Sequence, residues 1–167
     1  MKIVFREIAK ETHFEEPVKA MAIDLGQDYA AHLEKTILEV TAAPVPGGCR
    51  VSGSFAYQAI VPCSRCLAEV PISGEARFRI NYYPVSAAPL EEEAEIPLEE
   101  TEDLYVDEDH VTGEELVAQQ VYLELPEKVL CREDCRGICP RCGADLNGGP
   151  CGCPLETDHK WSRLMGL

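Results

Sequence analysis

Apolar and polar residues alternate most cleanly along residues 50–61. Val51, Phe55, Tyr57, Ala59 and Val61 share one parity, and Arg50, Ser52, Ser54 and Gln58 hold the other. A period of two over this length predicts an antiparallel strand with one buried face. A second alternation sets Ala76, Phe78, Ile80 and Tyr82 against Arg77, Arg79 and Asn81, which predicts a partner strand. Lys2 to Ile8 is a shorter apolar-rich stretch. Leu33 to Ala42 carries Thr36, Ile37, Val40 and Thr41, residues that suit a pleated surface. Pro44-Val45-Pro46-Gly47-Gly48 then reads as a turn. Asp24 to Leu33 fits either a short helix or irregular chain.

The period changes after residue 110. Thr112-Gly-Glu-Glu115 is a capping box, followed by Leu116, Val117, Val121 and Leu125 at helical spacing, and Pro126 ends the run. This predicts one amphipathic helix covering the sheet, with its stripe used for packing. Thr157 or Asp158 caps a second, short C-terminal helix bearing Trp161, Leu164 and Met165. The expected fold is therefore α+β: a small antiparallel sheet, a covering helix and a C-terminal zinc-ribbon-like module. We place the β-rich core at residues 1–125 and the cysteine-rich module with its helix at 126–167. No internal repeat stands out.

Charge modifies this picture at one place. The net charge is −15, yet residues 91–125 hold fourteen acids and no base, while the rest of the chain is close to balanced. With Pro84, Pro89 and Pro97 breaking any ladder, residues 84–110 read as a mobile acidic loop, in which Leu104, Tyr105 and Val106 form a short strand. Such a chain will not coat nucleic acid non-specifically, since phosphate contacts need clustered Lys and Arg. A basic partner protein fits it better. No apolar run approaches bilayer length, and the start, MKIVFREIAKE, lacks the continuous apolar stretch of a secretory signal. A cytoplasmic protein with reduced thiols is expected.

Those thiols carry the candidate chemistry. Six of nine cysteines lie between Cys131 and Cys153. Cys139-Pro-Arg-Cys142-Gly143 has the form of a zinc knuckle, and Cys151-Gly-Cys153 returns after a Gly-Gly-Pro turn. Four soft thiolates suit tetrahedral zinc and leave no open position for catalysis. The simplest division gives one ion to Cys139, Cys142, Cys151 and Cys153, and a second to Cys63, Cys66, Cys131 and Cys135. A rival grouping joins Cys131 and Cys135 to Cys139 and Cys142, so one zinc or two remain open. Cys49, at a strand start, is expected to be a buried or free thiol, and His159 an ordinary surface histidine. His13, His32 and His110 have no companions that suggest chemistry. There is no phosphate loop, nucleophile elbow or His-Glu metalloprotease pairing, and no small-molecule substrate or membrane is implied.

The run P-C-S-R-C-L, then the acidic segment, the helix ending L-E-L-P, then L-C-R-E-D-C-R-G-I-C-P-R-C-G-A-D-L-N and a final C-G-C resembles the YceD family, the large-ribosomal-RNA-subunit accumulation proteins. The resemblance spans about residues 20–167 and is sharpest from Leu125 to Cys153. It implies a bacterial cytoplasmic protein, with organellar relatives in plants, that is needed for normal 23S ribosomal RNA levels. It implies a role in large-subunit assembly and no enzymatic activity. Some members lack these cysteines, which implies that zinc stabilises the fold and is not the shared mechanism. The partner is then a large-subunit precursor or a basic ribosomal protein, with direct rRNA contact through Arg132, Arg136 and Arg141 weighted less. Two alternatives stand beside it: a thiol-disulfide oxidoreductase using Cys63 and Cys66, and a generic zinc-dependent nucleic-acid-binding protein.

Overall fold

The computed structural model describes residues 1–26, 29–88 and 103–154. The chain divides into two compact units, one of Met1–Val61 with Pro71–Glu127 and one of Pro62–Val70 with Lys128–Leu167.

The first unit is mostly antiparallel sheet. Its strands are β1 (Lys2–Val4), β2 (Thr12–Val18), β3 (Met21–Gly26), β4 (Tyr29–Leu33), β5 (Thr36–Val45), β6 (Gly48–Pro62), β7 (Glu69–Pro84), β8 (Asp103–Val106) and β9 (His110–Thr112). β6 is the backbone of the sheet. Its first half pairs with β5 from Val45↔Gly48 to Glu39↔Ser54, and its second half takes β4 at Leu33↔Ala59 and His32↔Ile60. β2 lies outside β5 and β3 outside β4. β7 pairs with β6, and β8 runs parallel to β7. β1 and β9 form a separate two-stranded ladder.

Burial on β6 follows the expected parity: Val51, Phe55, Tyr57, Ala59 and Val61 are buried, with Cys49 on the same face. Elsewhere the pattern needed correction. Leu33 to Ala42 is interrupted without turning back: β4 and β5 both run antiparallel to β6, and at Glu34-Lys35 the register along β6 slips by one residue, with the Glu34 N–H donating to the Gln58 carbonyl (2.9 Å). The inward face of β5 is Thr36, Leu38, Val40 and Ala42, and Ile37 is 55% exposed. The turn tightens to Pro46-Gly47, since Pro44 and Val45 stay paired in β5 and Gly48 opens β6. The stretch left between helix and irregular chain is the end of β3 and all of β4. Asn81 does not face solvent. It is buried, accepts from Arg50 Nε (2.9 Å) and donates to Asp103 Oδ1 (2.7 Å), so the parallel strand β8 covers it.

The helix α1 (Gly113–Glu124) has the expected capping box. Glu115 N–H donates to Thr112 Oγ1 (3.2 Å) and Thr112 N–H donates to Glu115 Oε2 (2.8 Å). The backbone N–H of Thr112, and then its side chain, donate to the Glu115 carboxylate, favour its ionised form and hold it below its usual range. Leu116, Val117 and Val121 are buried as expected, whereas Leu125 caps the helix end and is only half-buried. α1 lies against β2, β3 and β9. No helix among the described residues is long and apolar enough to cross a membrane. The ends of the expected acidic loop are a 3-10 turn at Val85–Ala87 and the strand β8, where the short strand was expected; residues 89–102 lie outside the described residues. The expected C-terminal helix with Trp161, and His159, also lie outside them.

The second unit has no named strand or helix of its own among the described residues beyond the ends of β6 and β7. It contains eight of the nine cysteines.

Candidate metal centres

Two segments of the second unit share a sequence form, C-x-R-C-x-A: Cys63-Ser-Arg-Cys66-Leu67-Ala68 and Cys139-Pro-Arg-Cys142-Gly143-Ala144. They also share a backbone. Cys63 N–H donates to the Ala68 carbonyl (2.8 Å) and Leu67 N–H to the Cys63 carbonyl (3.0 Å); Cys139 N–H donates to the Ala144 carbonyl and Gly143 N–H to the Cys139 carbonyl (both 2.8 Å). The residue after the second cysteine is left-handed in each, with φ 63° at Leu67 and 72° at Gly143. Glycine takes that conformation freely and leucine does not. The chain therefore does hold an internal repeat, a duplicated knuckle, which the differing residue at this position hides. The recurring arginine and alanine were the available signal.

Each knuckle finds its own second pair. Cys63, Cys66, Cys131 and Cys135 form one group, and Cys139, Cys142, Cys151 and Cys153 the other; within each, the sulfurs all lie within 4.8 Å of one another. The rival set of Cys131 and Cys135 with Cys139 and Cys142 is not brought together. In the first group Cys63 Sγ and Cys135 Sγ are 3.8 Å apart, and Cys66 Sγ and Cys131 Sγ 3.5 Å. A tetrahedron with metal–sulfur bonds of about 2.3 Å has sulfur–sulfur edges of about 3.8 Å. A disulfide needs about 2.05 Å, and all nine cysteines are free thiols. Each group therefore has the donor set and the spacing of a site that could hold a metal ion.

The first group is assembled from two distant stretches. Ser64 N–H donates to the Val129 carbonyl (2.8 Å) and Val129 N–H to Ser64 Oγ (3.2 Å), which sets residues 128–131 alongside the knuckle. Cys131 N–H then points at Cys63 Sγ (3.4 Å), and Arg65 Nη1 donates to the Cys135 carbonyl (2.7 Å). The second group is a small hairpin: Ile138 bridges Asp145, and Leu146 N–H donates to the Gly137 carbonyl (2.9 Å). Gly137 sits at φ 76°, and a Cβ there would fall 2.8 Å from the Arg65 carbonyl oxygen, so only glycine fits.

The electrostatics of each group are divided. Desolvation pushes the Cys63 thiol up, but N–H groups of Arg65, Cys66 and Cys131 aimed at its sulfur outweigh that and bring it to about 6. The N–H groups of Cys142 and Arg141 bring Cys139 to about 6 as well. In the same groups the Cys66 side chain, with burial, pushes Cys131 up to about 12, and Cys142 and Cys151 push Cys153 up to about 12. Four sulfurs this close cannot all be anionic without a cation among them. A divalent ion would remove that conflict by displacing the remaining protons.

The other candidates stand apart. Cys49 is buried on the core face of β6, and burial raises its thiol. His13 lies against Thr41, and His110 beside Glu108 and Asp109; among the described residues no histidine joins either sulfur group.

A family model described as large ribosomal RNA subunit accumulation protein YceD matches residues 51–167. Uncharacterized proteins of Mycobacterium tuberculosis (strain H37Rv) and Mycobacterium bovis are each 31% identical over 136 residues, covering 78% of this chain and 60% of theirs. One from Mycobacterium leprae is 30% identical over 121 residues, covering 70% of this chain and 52% of its own. The chain thus spans little more than half the length of these relatives. No solved structure matches it.

Proposed function

The chain belongs to the YceD family of large ribosomal RNA subunit accumulation proteins, and from that premise we propose that it is a non-enzymatic factor in assembly of the large ribosomal subunit, needed for 23S rRNA to accumulate. The observation that carries this reading is the family match over residues 51–167, which takes in both knuckles. Each four-sulfur group holds one Zn2+ in this reading, bound by Cys63, Cys66, Cys131 and Cys135 and by Cys139, Cys142, Cys151 and Cys153. Thiolates select zinc over harder cations. With four protein ligands the ion supplies folding energy and no open coordination position.

The partner is a basic ribosomal protein or a precursor particle presenting one. Asp107, Glu108, Asp109, Glu114 and Glu115 are exposed, and they belong to a stretch, 91–125, without a single base. A charge density of this kind steers a cationic partner and makes the association salt-dependent. The oxidoreductase reading loses support from the geometry. Cys63 and Cys66 occupy a turn with two further sulfurs beside them, whereas a reactive C-x2-C gains its low thiol pKa at a helix N-terminus.

Depletion of the protein, with 23S and 16S rRNA quantified together, tests the proposal. We expect 23S to fall while 16S holds. Normal levels of both would overturn it.

A further inference from the structure

One side chain reaches from the second sulfur group to the first. Asn147 follows directly on the Gly137–Leu146 hairpin whose turn carries Cys139 and Cys142, and its own N–H donates to Asp145 Oδ1 (2.9 Å). Its amide uses every hydrogen-bonding position it has. Oδ1 accepts from Arg132 Nη2 (2.8 Å) and from the Arg136 N–H (2.8 Å). Nδ2 donates to Asp145 Oδ1 (2.8 Å) and to Cys135 Sγ (3.5 Å). The amide cannot be reversed, because that would set its N–H groups against the Arg136 N–H and its oxygen against the Asp145 carboxylate. Arg132, Cys135 and Arg136 all belong to the loop that brings Cys131 and Cys135 to the first group. A second strut runs beside it: Ile138 N–H donates to the Arg65 carbonyl (3.2 Å), and Arg65 in turn donates to the Cys135 carbonyl.

We propose that Asn147 couples the two sulfur groups, so that zinc in either one raises the affinity of the other; this rests on the reading that both groups hold zinc. Fixing a backbone residue costs conformational entropy. An ion held by Cys139, Cys142, Cys151 and Cys153 has already ordered the hairpin and placed Asn147. The first group's loop then closes onto a preset amide instead of a disordered one. Linkage makes the effect reciprocal, and couplings of this type run from about 5-fold to 150-fold. Asn147 acts on the ion through Cys135 and is a positioning residue. Aspartate, nearly its isostere, cannot replace it: it has no N–H for Cys135 Sγ and sets a second carboxylate against Asp145.

The test titrates Zn2+ into the full-length chain against a competing chelator and reads protection of each cysteine from alkylation by mass spectrometry. In the unaltered chain both groups are expected to become protected at the same zinc activity. Removing the second group with Cys142→Ser and Cys151→Ser is expected to raise the zinc needed to protect Cys63, Cys66, Cys131 and Cys135 roughly tenfold or more. In an Asn147→Asp chain the two groups are expected to fill at separate zinc activities, and the same pair of serines to add less than about threefold. A role in folding alone would shift both groups without removing their dependence on each other. If Asn147→Asp does not fold, the unaltered chain and its serine variant decide: a first-group midpoint unmoved by loss of the second overturns the coupling. Independent midpoints overturn the coupling and leave zinc binding standing, whereas no protection at any zinc concentration overturns both.

Discussion

The unit of Met1–Val61 with Pro71–Glu127 and the unit of Pro62–Val70 with Lys128–Leu167 are held together by different means. In the first, Leu38, Val40, Val51, Leu116, Val117 and Val121 are fully buried, and each such side chain contributes about 1.5–3 kcal/mol when removed from water. In the second, the buried side chains among the described residues are Cys63, Val129, Cys135 and Cys139. One valine and three thiols cannot fix residues 62–70 and 128–154 by apolar burial. What the second unit has instead is a dense set of hydrogen bonds aimed at sulfur and at the loops that carry sulfur. The difference shows that alternation and periodicity locate only those parts of a fold that apolar burial stabilises. Where ligand bonds replace burial, residue spacing carries the information.

The largest test of this contrast is metal removal. Structural zinc contributes on the order of 10–16 kcal/mol of apparent binding energy in small peptides, and here it has little else to add to. Chelation is expected to abolish amide-exchange protection at Cys63, Cys139 and Gly143, whose N–H groups are bonded in the knuckles, while the amides of β5 stay protected. Protection at those knuckle amides that survives thorough chelation would remove the distinction between the two units.

The reverse perturbation is smaller. Leu38→Ala takes away a fully buried side chain on β5, and such truncations cost about 2–5 kcal/mol. The denaturant midpoint followed by sheet circular dichroism is expected to fall accordingly, with the zinc count per chain by native mass spectrometry unchanged. A cost under about 1 kcal/mol would mean that the site closes around the gap and that the sheet is not packed as described.

Legibility followed the same divide. β6 and α1 could be read because their burial is one-sided and regular: odd positions from Val51 to Val61 face inward, apart from Gly53, and Leu116, Val117 and Val121 form one stripe. β2 escaped because Glu15, Glu16 and Pro17 interrupt its pattern; an edge strand tolerates proline, and Pro17 sits opposite Ile37 with no strand among the described residues on its other side. The one-residue slip between β4 and β5 escaped because Glu34-Lys35 carries neither glycine nor proline to mark it. Asn81 was assigned to solvent by parity alone, and its partners Arg50 and Asp103 come from strands that parity does not connect. In the second unit, spacing offered the two sets of four cysteines that the fold brings together, but it left standing the rival that joins Cys131 and Cys135 to Cys139 and Cys142. Asn147 was not visible, since nothing in G-A-D-L-N marks an amide three of whose four bonds are made by Arg132, Cys135 and Arg136, outside that run. The knuckle repeat was missed because the comparison of C-S-R-C-L with C-P-R-C-G stops at the last residue, where leucine stands for glycine.

That last difference yields the smallest effect and the most discriminating. Leu67 adopts φ 63° with its side chain 45% exposed, so it accepts a left-handed backbone without gaining much burial. The conformation costs an L-residue about 1–2 kcal/mol, offset in part by the about 0.5–1 kcal/mol of unfolded-state entropy that glycine would lose. Leu67→Gly is therefore expected to tighten zinc at the first group by up to about 1 kcal/mol, and Gly143→Leu to weaken the second by a similar amount, roughly fivefold in each case. Competition with a chelator, read separately for the two groups, measures both. If Leu67→Gly instead weakens binding, the side chain is holding the knuckle through contacts worth more than its strain. The two knuckles would then be alike in backbone and different in what keeps them closed.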